Sequence, residues 1–472
     1  MTTHSTAPAA ALIGDAVSAF AATTRLDDIP APVQRFGRLL FVDTLGALLG
    51  GLRYPPVERL AHALALAESA ETFSPFARLM TLGTAATWLD ADSGGSFHPQ
   101  GHRLPPVPTA HPAPHVLPAL LHAAVERDLD DSSLVEVFLV ASEIGMRSGV
   151  ASSLRVGLHP HGVHGPGAAA LATALLRGVP PERLGDAYLL GSCLPLAATL
   201  DVPVRGGTVR NAWTGLGSYY GAVATDLVVA GARCDDAPYR RLFDGAVCTD
   251  LDDNLAISGL GRRWEILNSY LKPYACARWI HPTLDATRLA LAEAYGAPTG
   301  ETAGVDPAEV EKVRVETFAF AASLSETEVT SDMQARFSLP YAVAALVTDG
   351  VLDAGTFLPE GLDRPEVADL ARRVDVIEDP VMTAALPQER PATVTVHLRE
   401  GRRGTGRIRT ARGNPDHPLT ALEVMAKFRG NVGDLVRPAL VDDVLGDLLP
   451  ADGHRPASHS VARLARVVLE PS

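Results

Sequence analysis

Apolar residues recur with helical spacing along most of this 472-residue chain, and the spacing changes once. Helix-like periodicity begins near Ala11, restarts after Ile29-Pro30 and continues to about residue 231. Beyond about residue 270, valines alternate with polar residues, as they do in half-buried strands. We therefore expect a mainly α protein, with a large all-helical domain and a smaller α+β domain.

The predicted helices of the first part carry apolar residues three and four positions apart. They cover residues 57–69, 76–90, 115–128, 132–149, 165–177, 181–200 and 213–231. Small residues such as Gly215, Gly217 and Gly221 would let helices approach closely. The proline- and glycine-rich stretch 93–110 predicts a long loop inside this domain, and residues 1–10 are predicted to be disordered.

The change of pattern suggests where the domains divide. The predicted strands lie near 313–317, 374–376 and 394–398, with helices near 339–350 and 365–373 between them. Residues 272–408 should therefore form an α+β lid domain with a small antiparallel sheet, and residues 1–271 the helical domain. Helical periodicity returns over 418–448 and 457–468, so we expect residues 409–472 to pack back on the helical domain.

Charge and composition exclude several classes of partner. The formal net charge is −14 and no basic stripe is present, which argues against nucleic acid. An anionic substrate would need a locally positive pocket in that background. No apolar run reaches the ~18 residues of a membrane span, and no secretory leader is visible, so a cytoplasmic protein is expected. The four cysteines do not have zinc or iron–sulfur spacing.

Lysine is rare in this chain. Of 41 basic residues only Lys272, Lys312 and Lys427 are lysines. A lysine amine can lose its proton in a buried site, whereas a guanidinium stays charged. A lysine retained against such a bias is a candidate for proton transfer.

Five histidines precede a proline, and this is the most prominent local pattern. They are His98, His111, His159, His281 and His417. Proline is accepted in the first turn of a helix and biases the residue before it toward an extended conformation. Such histidines should stand at loop-to-helix junctions, where free N–H groups favour anions. The pattern predicts a pocket for a small carboxylate; the alternative is ordinary helix capping.

Two candidate clusters lie before residue 120. Asp90 and Asp92 follow a helix and should straddle its end, because residues two apart do not share a helix face. Asp90 is the candidate to orient a histidine or accept a substrate hydroxyl; the alternative is a solvated helix end. His111 should lie near a helix cap, with His115 one turn further on. A metal site there would need a third ligand, which the sequence does not show.

Three further clusters follow. The run 158–167, LHPHGVHGPG, combines histidines and glycines, and His159 is our choice as general acid or base because an unperturbed histidine pKa of ~6.5 suits that task. His164 in the same run is a candidate substrate ligand. Arg210 should begin a helix and clamp a carboxylate, surface pairing being the alternative. Lys272, Arg278 and His281 form a polar patch at the predicted domain junction.

Taken in order, these segments resemble the MmgE/PrpD family, which includes 2-methylcitrate dehydratase, cis-aconitate decarboxylase and iminodisuccinate epimerase. The resemblance covers nearly the whole chain. Its motifs are Asp43-Thr44-Leu45-Gly46, the Asp90 region, His111-Pro112, the His159-Pro160 loop, Lys272-Pro273-Tyr274 with His281-Pro282, Phe337-Ser338-Leu339-Pro340-Tyr341, and Asn414-Pro415 followed by His417-Pro418-Leu419.

The resemblance implies a helical domain with an α+β lid, a homodimer, and an active site between the domains. It also implies catalysis on di- and tricarboxylates without metal or organic cofactor. The family has an aspartate, two histidines and a lysine where Asp90, His111, His159 and Lys272 stand. These four are the predicted catalytic residues.

One departure bears on the reaction. The dehydratases and decarboxylases show a lysine followed three residues later by a histidine where this chain has Arg210 and Trp213. An arginine cannot donate the proton that a lysine could. The pattern is more similar to the iminodisuccinate epimerase branch.

The predicted chemistry is proton transfer at a carbon next to a carboxylate, and epimerisation is favoured. His159 and Lys272 would transfer protons, and Asp90 and His111 would orient the substrate or relay protons. The predicted substrate ligands are Arg210, His164, Arg278, His281 and His115. The alternatives are a lyase acting on a substituted succinate or citrate-like acid, a non-catalytic carboxylate-binding protein, and a metal-dependent hydrolase that uses the histidines.

Overall fold

A computed structural model of the chain describes residues 12–68, 74–95, 109–195, 199, 201–297, 304–450 and 458–469. The first half is helical, as predicted. Its helices are α1 (Ile13–Thr23), α2 (Ala31–Leu52), α3 (Pro55–Glu68), α4 (Pro75–Trp88), α5 (Ala113–Glu126), α6 (Asp131–Ala151), α7 (Gly165–Leu176), α8 (Leu184–Ser192), α9 (Val209–Val229), α10 (Asp236–Arg241) and α11 (Asp253–Ile257). Two short strand pairs interrupt them, β1 (Gly94–Gly95) with β4 (Ser269–Tyr270) and β2 (Ser152–Leu154) with β3 (Cys248–Leu251).

The second half combines helices with a four-stranded sheet, so the predicted fold class is confirmed. Its strands are β5 (Val310–Thr317), β6 (Val374–Glu378), β7 (Ala392–Leu398) and β8 (Arg403–Ile408). The helices are α12 (His281–Tyr295), α13 (Ala319–Ala322), α14 (Asp332–Arg336), α15 (Leu339–Asp349), α16 (Pro359–Leu362), α17 (Pro365–Ala371), α18 (Pro380–Ala384), α19 (Ala421–Val432), α20 (Pro438–Leu448) and α21 (Ser460–Leu469).

The prediction of an antiparallel sheet is wrong for one pair of strands. The strand order is β6-β5-β7-β8, and β6 runs parallel to β5 while the other pairs are antiparallel. The parallel pair arises because the chain between β5 and β6 forms helices α13–α17 and returns to the same edge. Helix α12 packs directly on β8. The contact requires glycine at positions 404 and 406, because a Cβ on Gly404 or Gly406 would collide with the α12 backbone.

Two predicted helices have different bounds in the structure. The helix expected over 181–200 ends at Ser192. The periodicity over 418–448 belongs to two helices, α19 and α20, because Gly433 adopts a positive φ of 51° and Pro438 begins a new helix. The predicted disordered segment 1–10 and most of the 93–110 loop, His98 included, lie outside the described residues.

Close helix crossings hold the first half together. A Cβ on Gly83 would stand 2.6 Å from the Cα of Gly215, so α4 and α9 meet backbone to backbone. A Cβ on Gly51 would stand 2.1 Å from the carbonyl oxygen of Ala85, which joins α2 and α4 in the same way. Together these crossings fix the C-terminal end of α4, where Asp90 and Asp92 follow.

Helices from the end of the chain lie against those from its beginning. Helix α19 packs on α2, and α21 packs on α5. A Cβ on Gly46 would stand 3.0 Å from the ring of Phe428, so α2 and α19 are also in close contact. Among the described ranges, no helix combines the length and the apolarity needed to cross a bilayer.

Candidate active site

A polar cleft is lined by residues from both halves of the chain. Four of the predicted catalytic residues, Asp90, His111, His159 and Lys272, line it together with Arg210 and Arg278. The remaining lining residues are Pro160, Pro203, Val204, Tyr270, Ala277, Trp279, Phe320, Phe337 and Arg390. The structure therefore brings together six of the nine residues that the sequence singled out.

Two carboxylates and two cations form a buried cluster at this cleft. The Oδ1 atom of Asp90 accepts from Nη2 of Arg210 at 2.6 Å and from Nζ of Lys272 at 2.9 Å. Asp92 Oδ1 lies 3.2 Å from the same Arg210 nitrogen. All four side chains are at most 3% exposed. Both aspartates lie beyond the end of α4 at Trp88 rather than straddling it, and the alternative of a solvated helix end is also wrong because both are buried.

The cluster keeps Lys272 and Asp92 charged. Burial would lower the pKa of the Lys272 amine, but Asp90 and Asp92 outweigh it and the pKa is raised. Burial would likewise raise the pKa of Asp92, but Lys272, Arg210 and His161 hold it well below its usual range. The Lys272 amine therefore keeps its proton, since a lysine paired with two carboxylates keeps its charge.

Arg210 has a different set of partners from the one we predicted. It lies in the first turn of α9, as expected, and its Nη1 donates to the carbonyl oxygen of Thr87 at 3.0 Å. Its Nη2 is taken by Asp90 and Asp92, so the carboxylates that it clamps belong to the chain. The alternative of surface pairing is also wrong, because the side chain is 2% exposed.

His111 is held in one tautomer. Its Nδ1 lies 3.1 Å from Asp92 Oδ2 and 2.8 Å from the carbonyl oxygen of Ser93. Both oxygens can only accept, so Nδ1 carries a proton and donates. In the neutral ring, Nε2 then has the free lone pair. A carboxylate–imidazole pair of this kind is an arrangement that supports a general base.

His159 has the opposite tautomer. Its Nδ1 accepts a hydrogen bond from the backbone N–H of His161 at 3.2 Å. Burial, followed by the charges of Arg210 and His111, lowers the pKa of His159 well below its usual value. The ring is therefore neutral with its proton on Nε2, and the residue lines the cleft. Our expectation of an unperturbed histidine pKa at this position is wrong.

Three buried groups could in principle hold a metal ion. Ligand atoms of Asp92, His111 and His161 lie within 4.8 Å of one another. The same carboxylate also contacts the guanidinium of Arg210, and Lys272 Nζ lies 3.9 Å from it. A divalent cation would stand beside these two positive charges, and His111 Nδ1 already donates to the carboxylate. The donor set therefore fits hydrogen bonding better than metal binding.

A second group of cations lines the cleft. The Arg278 guanidinium stacks over the Tyr270 ring at 4.9 Å and donates from Nη2 to Asn414 Oδ1 at 2.6 Å. Its Nε and Nη1 are buried without a partner among the described residues. Arg390 stacks over the Trp279 ring at 4.4 Å. Arg278 thus has two donors without a partner among the described residues.

Three predicted substrate ligands lie outside the cleft. His115 is fully buried between Gly165 and Gly217, whose missing side chains make room for its ring. His164 Nδ1 pairs with Ser148 Oγ at 3.0 Å, and a ring nitrogen of His281 lies 3.1 Å from the carbonyl oxygen of Cys276. The structure does not bring these three histidines to the cleft that the other six predicted residues line. Each packs inward at a helix start rather than toward the cleft.

Sequence reasoning did not assign Asp92, His161, Tyr270 or Arg390 to the site. His161 Nε2 lies 3.2 Å from Asp92 Oδ2, so both support His111 from behind. Asp92 and His161 stood inside runs already singled out, and either run would have justified including them. Tyr270 is fixed by the pairing of β4 with β1. Nothing in the sequence around Arg390 pointed to the cleft.

Comparison with known proteins bears on this arrangement. Two family models match: the MmgE/PrpD N-terminal domain over residues 15–200 and the MmgE/PrpD C-terminal domain over residues 274–445. The chain belongs to the MmgE/PrpD family. Within this family, cis-aconitate decarboxylase of Aspergillus terreus is 24% identical to it over 388 residues, which is 75% of this chain and 76% of that protein. The same enzyme from strain NIH 2624 / FGSC A1156 matches to the same extent.

Proposed function

We propose that this MmgE/PrpD protein removes a proton from a carbon next to a carboxylate of a small carboxylic acid. The observation that carries the proposal is His111. Its Nδ1–H is held by Asp92 and Ser93, and its ring lines the cleft together with an ammonium and three guanidinium groups. A base beside fixed positive charge suits a reaction in which negative charge develops on a carboxylate.

The other cleft residues have distinct roles in this proposal. His111 takes the proton on Nε2, and the His159 Nε2–H donates to the developing enolate-like oxygen. Lys272 and Arg210 hold Asp90 in place, and Arg278, which has two unpartnered nitrogens among the described residues, supplies positive charge to the cleft. Asp90 Oδ2 is buried without a partner among the described residues, so it is available to accept a hydrogen bond from a substrate hydroxyl or amine.

The fate of the proton decides the reaction type. We propose epimerisation first, in which His111 removes the proton and the Lys272 ammonium returns one to the opposite face of the same carbon. Arg210 supports this choice, because a guanidinium tied to two carboxylates does not supply the proton that a leaving group needs. The second candidate is a lyase, and the similarity to cis-aconitate decarboxylase favours it. We also propose a homodimer that works without a cofactor.

Isotope exchange tests the shared first step. The protein is incubated in heavy water with methylsuccinate, malate, citrate or cis-aconitate, and proton NMR follows the C–H signals next to each carboxylate. We expect hydrogen exchange with at least one acid. The exchange rate of the His111→Gln variant should be lower by about 100-fold or more. New alkene signals or loss of a carbon would identify a lyase, whereas exchange with inversion would identify an epimerase.

A matched control separates catalysis from folding. His122 lies on the same helix, α5, is buried and pairs with Glu126 away from the cleft. The His122→Gln variant should keep the wild-type exchange rate. Wild-type protein that exchanges none of these acids, or a His111→Gln variant that exchanges as fast as wild type, would contradict the proposed function.

A further inference from the structure

Two of the four cysteines lie side by side, away from the cleft. Cys193 caps the C-terminal end of α8, and Cys234 lies a few residues after the end of α9. A hydrogen bond joins their side chains. Both are free, partly exposed thiols, whereas Cys248 and Cys276 are free and buried. A disulfide requires the two Cβ atoms to lie close together, and thiols that share a hydrogen bond come near to meeting this requirement.

Contacts along α8 fix the segment that carries Cys234. Asp186 and Cys193 are seven residues apart, or two helical turns, so both lie on the same face of α8. Asp186 Oδ1 accepts a hydrogen bond from the backbone N–H of Cys234 at 3.2 Å. Arg183, at the start of α8, donates to the carbonyl oxygen of Ala232. The two thiols therefore meet because their backbones are held in place, not because one side chain happens to reach the other.

The two thiols differ in acidity. The hydrogen bond from Cys234 lowers the pKa of Cys193, because it stabilises the thiolate. The same contact, followed by burial and the nearby carboxylates of Asp235 and Asp186, raises the pKa of Cys234. The thiolate is the nucleophile in thiol–disulfide exchange. Cys193 is therefore suited to attack an oxidant first, and Cys234 to complete the bond.

We propose that Cys193 and Cys234 are a site of reversible oxidation, where a disulfide ties the chain after α9 to the end of α8. The oxidant is a small disulfide such as oxidised glutathione. The Cys193 thiolate attacks one sulfur of the oxidant and displaces a glutathione thiolate. Cys234 then loses its proton and attacks the Cys193 sulfur, which releases the second glutathione. The two cysteines lose two protons and two electrons, and the oxidant is reduced to two thiols.

The disulfide would enclose α9 and part of the cleft wall. Pro203, Val204 and Arg210 line the cleft, and all three lie between the two cysteines in the chain. The bond would close a loop of about 40 residues, and closing a long loop stabilises a fold chiefly by restricting the unfolded chain. We therefore expect the oxidised protein to unfold at a higher urea concentration than the reduced protein.

Peptide mapping tests which cysteines pair. The full chain is incubated with glutathione disulfide, the remaining thiols are blocked with iodoacetamide in urea, and non-reduced peptides are identified by mass spectrometry. We expect a Cys193–Cys234 crosslink that dithiothreitol removes, with Cys248 and Cys276 recovered as blocked thiols. Protein that keeps all four thiols, that carries only glutathione adducts, or that pairs Cys193 or Cys234 with another cysteine would overturn the inference.

A serine variant supplies the matched control. Cys234→Ser lacks the second thiol, so the reaction should stop at a mixed disulfide between Cys193 and glutathione. The urea midpoint of the wild-type protein should rise on oxidation and return with dithiothreitol, whereas that of Cys234→Ser should show no such rise. Equal midpoints for the crosslinked and reduced wild-type protein would overturn the proposed tether. None of these measurements depends on turnover, so their outcome is independent of the proposed function.

Discussion

Asp90 shows how a single residue shapes the site. It is the one non-glycine residue with positive φ in the described ranges, at 49°. That conformation costs roughly 1–2 kcal/mol for an L-residue. It lets both the backbone oxygen and Oδ1 of Asp90 accept from Lys272 Nζ, at 2.8 and 2.9 Å. The strain therefore coincides with a contact between two of the proposed active-site residues, a common location for backbone strain.

The buried histidines make stability depend on pH. Burial and then the His111 charge lower the pKa of both His115 and His164 from 6.5 to about 3. The unfolded chain binds these protons near pH 6.5, whereas the folded protein binds them only near pH 3. Protonation therefore favours the unfolded chain, and the free energy of unfolding declines as the pH falls from 6.5 toward 3. Each histidine should cost about 1.4 kcal/mol of unfolding free energy per pH unit below 6.5.

Urea unfolding at about pH 7.5 and about pH 5.5 measures this loss. The free energy of unfolding should be larger at the higher pH. His164→Asn should reduce this difference in free energy by the contribution of one histidine. His62→Asn, at an exposed position of α3, should leave the difference as in wild type. An unchanged difference in His164→Asn would show that His164 is protonated in the folded state.

At the scale of elements, glycine positions decide how closely helices cross. Sequence reasoning marked Gly215 and Gly217 as sites of close approach, and the structure confirms it. A Cβ on Gly215 would stand 2.4 Å from the carbonyl oxygen of Met80 on α4. A Cβ on Gly217 would instead meet the His115 ring at 2.6 Å. Two sides of α9 thus serve different contacts, a helix crossing at Gly215 and the burial of a histidine at Gly217.

The same substitution should have opposite effects at two glycines. Gly215→Ala gains helix propensity but forces α4 and α9 apart, so we expect a net loss of about 1–3 kcal/mol in unfolding free energy. Gly430→Ala, on α19, meets only a side-chain oxygen of Asp353 at 3.5 Å and should stabilise by up to about 1 kcal/mol. Urea unfolding of the two variants compares them directly, and a stabilised Gly215→Ala would refute the close crossing.

At the scale of the whole molecule, Lys427 joins the end of the chain to the site. Its Nζ donates to Asp43 Oδ1 at 2.6 Å and to the carbonyl oxygen of Ala91 at 3.0 Å. Ala91 lies between Asp90 and Asp92. Burial raises the pKa of Asp43 even though Lys427 opposes this, so the carboxylate depends on its partner to stay charged. A contact between residues 384 positions apart thereby supports the segment that carries both cleft carboxylates.

Removing one charge of the Lys427–Asp43 pair should lower the free energy of unfolding more than removing both charges. We expect Lys427→Met to lose about 3–5 kcal/mol of unfolding free energy, because it leaves Asp43 buried and unpaired. Adding Asp43→Asn should recover part of the loss. Lys312→Met removes a half-exposed lysine that pairs with Asp375, and should change stability by at most about 1 kcal/mol. A double variant less stable than Lys427→Met would contradict this account.

Local sequence predicted most of the elements but not their pairing. Apolar spacing placed α5, α6, α7 and α9 within a few residues, because it depends on which face of a helix is buried. The orientation of β6 could not be predicted in this way, since alternation is the same in parallel and antiparallel strands. The helix predicted over 181–200 was too long, because periodicity does not show where a helix ends.

Residue spacing and motifs along the chain predicted the helical first half, the strands that follow it, the glycines of the helix crossings and most polar residues of the cleft. Which charges meet depends on the tertiary structure. Lys272 and Asp90 are 182 positions apart, and long-range packing brings them together. It also turned His115, His164 and His281 inward and brought Arg390 to the cleft. The physical reason is that spacing along a chain fixes a side chain on its own element, while burial and charge neutralisation act between elements.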